Sequence, residues 1–313
     1  MMWRLVASRV LDAIPTMFLV LTLVFVAMRL LPGDPAVTLL GDHATPAQIE
    51  AMRARLGLDV PLWQQYLRFL WNALTFDFGK SFVNSQSVAA MVGLNLPYTI
   101  ELTIVSTLLG TIAAIPLGVV AATHRGKTTD YVTRLFSLAG FAIPDFYLGA
   151  LLLITFSLNL GWFPINGGGQ GFADRMYHVF LPAIALAFIK AAFVSRLTRS
   201  SLLEVLNKDF VRTARAKGGR EPRVIYRHAL RNALLPVVTG LGLSILSTLS
   251  GSVAIEFIFG RPGIGSMLIT GIETRDYPVI QAGIVVFAMF VVVVNLVMDV
   301  LYVFIDPRVG AVR

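Results

Sequence analysis

Six long apolar stretches set the pattern of this chain, and polar or charged segments separate them. A bilayer core about 30 Å thick requires about 20 apolar residues in helical form. Stretches of this kind occupy residues 11–31, 96–123, 135–160, 179–194, 234–258 and 279–305. The fourth is the weakest, because Lys190 interrupts it and Pro182 lies near its start. The pattern predicts an all-α membrane protein with six transmembrane helices.

The first apolar stretch is longer than the roughly 7–15-residue apolar core of a signal peptide, so we expect an uncleaved anchor. Residues 32–95 are too many for a tight connection and should have structure of their own. Thr45 before Pro46 is typical of a helix start, and residues 61–74 predict a short amphipathic helix. Aromatic residues suited to a headgroup interface lie in that region: Trp63, Tyr66, Trp71 and Phe76. We predict an anchor with an outer segment at 1–95, a transmembrane core at 96–306 and a tail at 307–313.

Composition agrees with a membrane protein. Of the 313 residues, 56% are hydrophobic and 14% are charged, whereas a soluble domain carries about 25% charged residues. The net charge of +8 does not indicate nucleic-acid binding, because the basic residues lie in the gaps between apolar stretches. Cysteine is absent and the four histidines are scattered, which argues against disulfides, thiolate sites and histidine metal clusters.

The placement of Lys and Arg predicts the topology. With the N-terminus inside, the cytoplasmic segments are residues 1–10, 124–134, 195–233 and 306–313, which hold most of the 26 basic residues. Cytoplasmic loops of membrane proteins are enriched in Lys and Arg. We therefore expect a multi-pass protein with both termini in the cytoplasm.

An energy source within the chain is not evident. Gly126, Lys127 and Thr128 match the end of a phosphate-binding loop, but the first glycine of that motif would fall at Ala121. The preceding segment is a predicted membrane helix rather than a strand, so we interpret the match as a basic cytoplasmic turn. The sequence also contains no nucleophile elbow, zinc-binding helix or dinucleotide fingerprint. We expect no enzymatic activity, and no ATP hydrolysis by this chain alone.

The basic segment between the fourth and fifth stretches predicts a short helix. Asp209 is suited to cap it and Gly218 to end it. Helical spacing places Phe210, Ala214 and Lys217 on one face, and the other faces carry Arg212, Arg215 and Ala216. Such a helix could dock into a groove of another protein or contact anionic lipid. The spacing alone favours the lipid contact.

Wider motifs in the same region resemble a known family. They are the run of Arg212, Thr213, Ala214, Arg215, Ala216, Lys217 and Gly218, followed by His228, Ala229, Leu230, Arg231, Asn232 and Ala233. This pair of motifs is similar to the coupling loop of ABC-importer permeases, and more narrowly to the dipeptide, oligopeptide and nickel branch. The general pattern opens Glu-Ala-Ala with a Gly four residues later. Here Gly218 matches, Arg212 replaces the Glu, and a later Pro of the pattern falls at Arg231.

Further blocks of the same branch extend from end to end of the chain. They lie at residues 31–35, 56–61, 77–81, 259–265 and 275–278. The resemblance implies a type I ABC-importer permease fold with a cytoplasmic coupling helix over 209–218, in a cell inner membrane. It implies two ABC ATPase subunits that bind ATP and Mg²⁺, a second related permease, and a periplasmic or lipid-anchored solute-binding protein. The branch carries dipeptides, oligopeptides, glutathione, nickel complexes, opines or oligosaccharides.

Ionisable residues within or near the apolar stretches are the first candidates for a translocation path. A charge at mid-bilayer costs about 2.5–3.5 kcal/mol, and five such residues occur: Glu101, Asp145, Lys190, Glu256 and Asp299. We expect Glu256 to reach the outer boundary. For the others, pairing between helices is favoured over contact with a zwitterionic peptide.

Two stripes of small residues add candidates. They are Thr99, Thr103, Ser106 and Gly110 in the second stretch, and Gly240, Ser244, Ser247 and Gly251 in the fifth. Helix packing is the favoured interpretation, and a path lining is compatible with it. The predicted path residues are Glu101, Thr103, Ser106, Asp145, Ser244 and Ser247.

Two other classes of protein are weighed against the permease. A stand-alone proton-coupled secondary transporter would use Glu101 or Asp145, and it predicts inverted repeats and helices broken at mid-membrane. No such repeat is visible in the sequence. A membrane-embedded protease or transferase would need paired acids or a nucleophile with its base. The ionisable residues instead lie singly on different predicted spans.

Overall fold

The computed structural model describes residues 2–30, 34–40 and 44–305, and this part of the chain is helical with no strand. The α-helices are α1 Met2–Leu30, α2 Pro35–Leu40, α3 Pro46–Arg55, α4 Leu62–Thr75, α5 Val88–Thr123, α6 Thr128–Ala142, α7 Asp145–Leu152, α8 Gly171–Leu206, α9 Asp209–Ala216, α10 Glu221–Arg223, α11 Arg231–Ile258, α12 Ile264–Glu273 and α13 Tyr277–Ile305. Short π-helical segments follow α7 and α10. The all-α prediction is confirmed, while the predicted tail at 307–313 lies outside the described residues.

Five helical segments of the described chain are long and apolar enough to cross a membrane. They are Val10–Leu30, Val88–Thr123, Gly171–Leu206, Glu221–Ile258 and Tyr277–Met298. Each contains or overlaps one of the predicted stretches, including the fourth, which the sequence supported least. With the bent pair of helices described next, the number of candidate spans reaches six.

The third predicted span is not the single continuous helix that its hydropathy suggests. Thr128–Ala142 and Asp145–Asn159 meet at an angle of 100°. Ile143 has φ −97° and ψ 119°, an extended conformation. A residue before proline is disfavoured in the α region because the proline ring collides with it, so Pro144 explains the break. The chain re-enters a helix at Asp145.

One compact unit contains the described residues of Met1–Pro97 together with Pro262–Leu296. Within it, Phe69 and Ala73 of α4 share an apolar core with Phe25 of α1. Tyr66 joins this core, and its hydroxyl lies 2.6 Å from the Thr22 hydroxyl. Tyr66 therefore packs against this core, and its position at a headgroup interface stays a prediction. Of the other three aromatic residues, Trp63, Trp71 and Phe76, each is exposed.

The local elements predicted in the outer segment are present. Thr45 caps α3: its hydroxyl accepts from the Gln48 amide and its own amide donates to the Gln48 side chain, as in a capping box. α4 at Leu62–Thr75 matches the amphipathic helix predicted at 61–74. The left-handed residue Phe76 (φ 56°) ends α4.

The other unit contains Tyr98–Arg261 and the described residues after Leu296, and α8 is its central helix. α8 contacts α6, α7 and α11. Small residues allow its neighbours to approach closely. A Cβ added at Gly140 of α6 would lie 2.2 Å from the Ala192 Cβ, and one at Gly118 of α5 would lie 2.7 Å from the Ser195 carbonyl oxygen. The domain boundaries at 95 and 306 stay a prediction.

Candidate functional site: an exposed basic helix and a polar cavity

The basic helix α9 occupies Asp209–Ala216, close to the bounds expected from the sequence. Its N-cap residue is Lys208, and no side chain caps it, so the capping role predicted for Asp209 is wrong. Asp209 lies in the first turn instead, where a negative charge stabilises the helix dipole. Gly218 follows the end of the helix with φ +77°, a left-handed conformation that glycine adopts without strain.

The inward face of α9 differs from the one that the sequence suggested. Val211 is fully buried and Ala214 is partly buried, in the same apolar core as Val224 and Leu230. The face predicted to join Phe210, Ala214 and Lys217 is therefore split, because Ala214 packs against its own chain. Phe210 is 46% exposed. The other exposed residues of this segment are Asp209, Arg212, Thr213, Arg215, Ala216, Lys217 and Gly218.

An ion pair joins α9 to the next helix. Arg215 donates from Nη2 to Oε1 of Glu221 at 2.7 Å and from Nε to Oε2 at 3.1 Å. This two-point hydrogen bond raises the pKa of the Arg215 guanidinium. Together with the apolar core beneath Val211, it fixes the orientation of α9 on its own chain.

A buried carboxylate that the sequence analysis did not identify lies near the first residues of α6. Asp130 is fully buried, and it accepts from Arg199 of α8 at 2.6 and 3.0 Å and from Arg134 at 3.0 Å. It also accepts the Gly126 amide at 3.0 Å, so this backbone donor of the Gly-Lys-Thr turn is engaged within the chain. The i, i+4 spacing of Asp130 and Arg134 was the available signal.

A cavity of about 200 Å³ lies among α6, α7, α8 and α11. Its lining consists of Phe141, Asp145, Leu186, Ile189, Lys190, Phe193, Leu243, Ser244, Ser247 and Thr248. Three of the six predicted path residues are therefore brought together here: Asp145, Ser244 and Ser247. Lys190, which the sequence marked as an interruption of its span and as one of five ionisable candidates, also contributes to the lining.

Asp145 owes its position to the break in the third span and to a glycine on α11. Its Oδ1 accepts the Phe146 amide at 2.8 Å in the first turn of α7. A Cβ added at Gly251 would lie only 2.0 Å from Asp145 Oδ2. The absence of a side chain at Gly251 therefore makes room for this carboxylate.

Thr103 and Ser106 do not line the cavity. Both are buried, and their hydroxyls donate to backbone carbonyls of their own helix, those of Thr99 at 2.8 Å and Thr103 at 3.2 Å. Gly110 of the same stripe lies against α8, where an added Cβ would be 3.1 Å from the Ala187 carbonyl oxygen. These contacts are those of helix packing.

Glu101, the last of the six, belongs to a partly buried ion cluster. Its Oε2 accepts from Arg175 at 2.7 Å and from Arg261 at 3.0 Å. Both guanidinium groups lie over the Tyr98 ring, at 4.6 and 5.2 Å from its centroid. Arg261 is fully buried. Glu101, Arg175 and Arg261 form what we call the Glu101 cluster.

Glu256 also differs from expectation. It is fully buried and accepts from the Thr99 hydroxyl at 2.7 Å, so it does not reach a boundary. The view that the ionisable residues lie singly on different spans is thus wrong for Glu101 and Glu256, which both act electrostatically on Arg261. The side chain of Asp299 lies outside the described residues.

Comparison with known families gives two matches. The profile described as binding-protein-dependent transport system inner membrane component matches residues 114–311. The profile of its N-terminal membrane component matches residues 2–103. Together they cover nearly the whole chain.

Curated relatives match at similar length. The glutathione transport system permease protein GsiC of Escherichia coli strain K12 is 42% identical over 308 residues, covering 98% of this chain and 99% of that protein. The protein of the same name from Shigella boydii serotype 4 is 41% identical over the same length. Among solved structures, an inward-facing form of the MetNI methionine ABC transporter aligns with a TM-score of 0.57 at 17% identity. It covers 69% of this chain and 96% of that one, which shows a shared fold.

Proposed function

Since the chain belongs to the family of binding-protein-dependent transport system inner membrane components, we propose that it carries short peptides or a chemically related solute. It is a multi-pass permease of an ABC importer, and such an importer includes an ATPase and a solute-binding protein. In our proposal two ABC ATPase subunits bind ATP and Mg²⁺, and a second related permease completes the path. The likeness to glutathione permeases supports the peptide class.

The observation that best supports the coupling role is the way α9 packs on its own chain. Val211 and Ala214 fix it to the core that also contains Leu202 of α8 and Ala233 of α11. Its other side, with Phe210 and the basic residues, is exposed. A push on that exposed side would reach α8 and α11 as a rigid-body movement. These two helices supply most of the cavity lining.

The orientation in this proposal places both termini and α9 in the cytoplasm. The surplus of Lys and Arg on that side supports it. A phosphate-binding loop follows a strand, whereas the Gly-Lys-Thr turn of this chain follows the helix α5. This difference supports the proposal that the partner subunits bind the ATP.

A proton-coupled secondary transporter is the alternative. The break in the third span is a feature that such transporters also show. However, Glu101 is already engaged in ion pairs with Arg175 and Arg261. Family membership favours the ATP-driven importer.

The coupling role predicts a strong effect of Phe210→Ala. Phe210 is an exposed aromatic residue at the centre of the proposed docking face, and such residues carry a large share of binding energy at interfaces. We expect ATP-driven uptake to fall by about tenfold, corresponding to about 1.4 kcal/mol of lost coupling. The measurement is uptake of radiolabelled peptides, including glutathione, by vesicles that contain the whole importer.

Leu138→Ala is the matched control, because Leu138 is likewise an exposed apolar residue, 65% exposed, but belongs to α6. Uptake should be unchanged in this variant. Ala214 is unsuited to the test, since a bulky residue there would disturb the chain's own core. Normal uptake by the Phe210 variant would contradict docking through α9. Solute accumulation by the reconstituted permease without any ATPase would contradict the proposal as a whole.

The substitution Gly251→Ala should reduce uptake without a loss of folding. The added methyl group would displace the Asp145 carboxylate, while alanine is favoured over glycine in a helix by about 0.8–1.0 kcal/mol. We expect uptake to fall severalfold with thermal unfolding unchanged. In an Asp145→Asn background the same substitution should add little, because the two changes act on one group. Additive losses would separate Gly251 from Asp145.

A further inference from the structure

The buried Lys190 has no role in the proposed coupling mechanism. Lys190 is only 2% exposed, and its Nζ donates to the Thr107 hydroxyl at 2.5 Å. No carboxylate whose side chain the structure describes forms an ion pair with it. By contrast, the buried Arg261 is paired with Glu101. A single neutral hydroxyl is a weak partner for an ammonium group within a membrane span.

The cavity could hold the negatively charged partner that Lys190 lacks. Lys190 of α8 and Asp145 of α7 both contribute to its lining, yet they form no ion pair with each other. Ser244, Ser247 and Thr248 add hydroxyl groups, and Phe141 and Phe193 add apolar walls. Lys190, Asp145 and these hydroxyl groups therefore share one lining, while the Lys190 ammonium is bonded to Thr107 of α5, which is outside that lining.

We infer that this cavity is a subsite for a zwitterionic solute, in which Lys190 binds a carboxylate and Asp145 binds an ammonium group. The inference rests on the proposed transport function and specifies the chemistry of the solute. A solute carboxylate supplies the negative charge that Lys190 lacks, and the low dielectric of the membrane strengthens the attraction. A peptide with free termini carries both charges, one at each end.

The absence of cysteine allows a direct test. Ser247→Cys places one thiol in the exposed part of the cavity lining. In vesicles containing the assembled importer, its modification by an anionic and by a cationic methanethiosulfonate is followed by mass spectrometry of this chain. The ratio of the two rates reports the electrostatic potential at the cavity, whatever the natural solute is.

Lys190→Met should lower the anionic-to-cationic rate ratio by about tenfold, corresponding to about 1.4 kcal/mol. Asp145→Asn should raise it, and Lys190→Arg should leave it unchanged. Methionine is about as long as lysine and favours membrane insertion, so loss of the fold is not expected. The same thiol should be protected by a dipeptide with free termini and not by its C-terminal amide. That protection should be lost in Lys190→Met.

If Lys190→Met leaves the anionic-to-cationic rate ratio unchanged, the inference is overturned, since the ammonium would then not face the cavity. Equal protection by the dipeptide and its amide, or no protection by either, would overturn the binding role as well. The proposed transport function has a separate readout. The transport function is contradicted if the wild-type importer shows no ATP-driven peptide uptake. The subsite is contradicted by the labelling results named above, measured on the same vesicles.

Discussion

Replacing Glu101 with alanine is expected to remove most of the correctly folded protein from the membrane. Arg261 is fully buried and forms an ion pair with Glu101, and Glu256 also attracts it electrostatically. Arg175 would lose the same partner. Removing one member of a buried ion pair typically destabilises a protein by about 3–5 kcal/mol, and Glu256 would then be left to balance the buried Arg261 without Glu101. The effect should appear whether or not Glu101 contacts a solute.

The measurement is the thermal unfolding of the purified protein together with its yield in the membrane fraction. Glu101→Gln should be nearly as harmful, since it keeps the shape and loses the charge. Asp145→Ala is the control, because Asp145 is partly exposed and forms no ion pair among the described side chains. If Glu101→Ala is as stable as Asp145→Ala, the Glu101 cluster does not stabilise the fold.

Replacing Gly118 with leucine is the second change with a large expected effect. An added Cβ would lie 2.5 Å from the Thr198 Cβ and 2.7 Å from the Ser195 carbonyl oxygen. The backbone of α8 cannot move aside as the end of a side chain can, so α5 and α8 must separate. Overpacking of a well-packed contact costs about 1–3 kcal/mol, and leucine adds further bulk to that of a single methyl group.

Gly93→Leu on the same helix provides the comparison. Nothing lies within 4 Å of an added Cβ at Gly93, so this variant should unfold at the wild-type temperature. Gly118→Leu should unfold several degrees lower and lose uptake. Identical melting temperatures for the two variants would show that α5 and α8 do not approach as closely as the structure places them.

The positions of the membrane helices could be predicted because long apolar stretches report directly on burial in lipid. Hydropathy could not reveal the break at Pro144, because the stretch from 135 to 160 stays apolar on both sides of it. The signal was local, namely the effect of proline on the backbone of Ile143. A proline within an apolar stretch has no fixed outcome, since Pro182 lies within the continuous helix α8.

The site was less accessible to sequence reasoning, because its contacts join distant positions. Glu101 meets Arg175 and Arg261, which lie 74 and 160 residues away. No spacing rule connects such residues without the fold. On α9, the spacing of side chains was predicted correctly, but which face turns inward depends on the core beneath Val211. Exposed basic residues gave no information about that core.

The right-angle break has a consequence for how the chain enters the bilayer during synthesis. Each limb, Thr128–Ala142 and Asp145–Asn159, has 15 residues, about 22 Å at 1.5 Å per residue, which is shorter than the hydrocarbon layer of about 30 Å. Neither limb is therefore a stable membrane segment by itself. Both pack against α8, which the ribosome makes later. We expect the nascent limbs to stay beside the insertion machinery until α8 emerges, so truncation before α8 should leave them extractable from the bilayer.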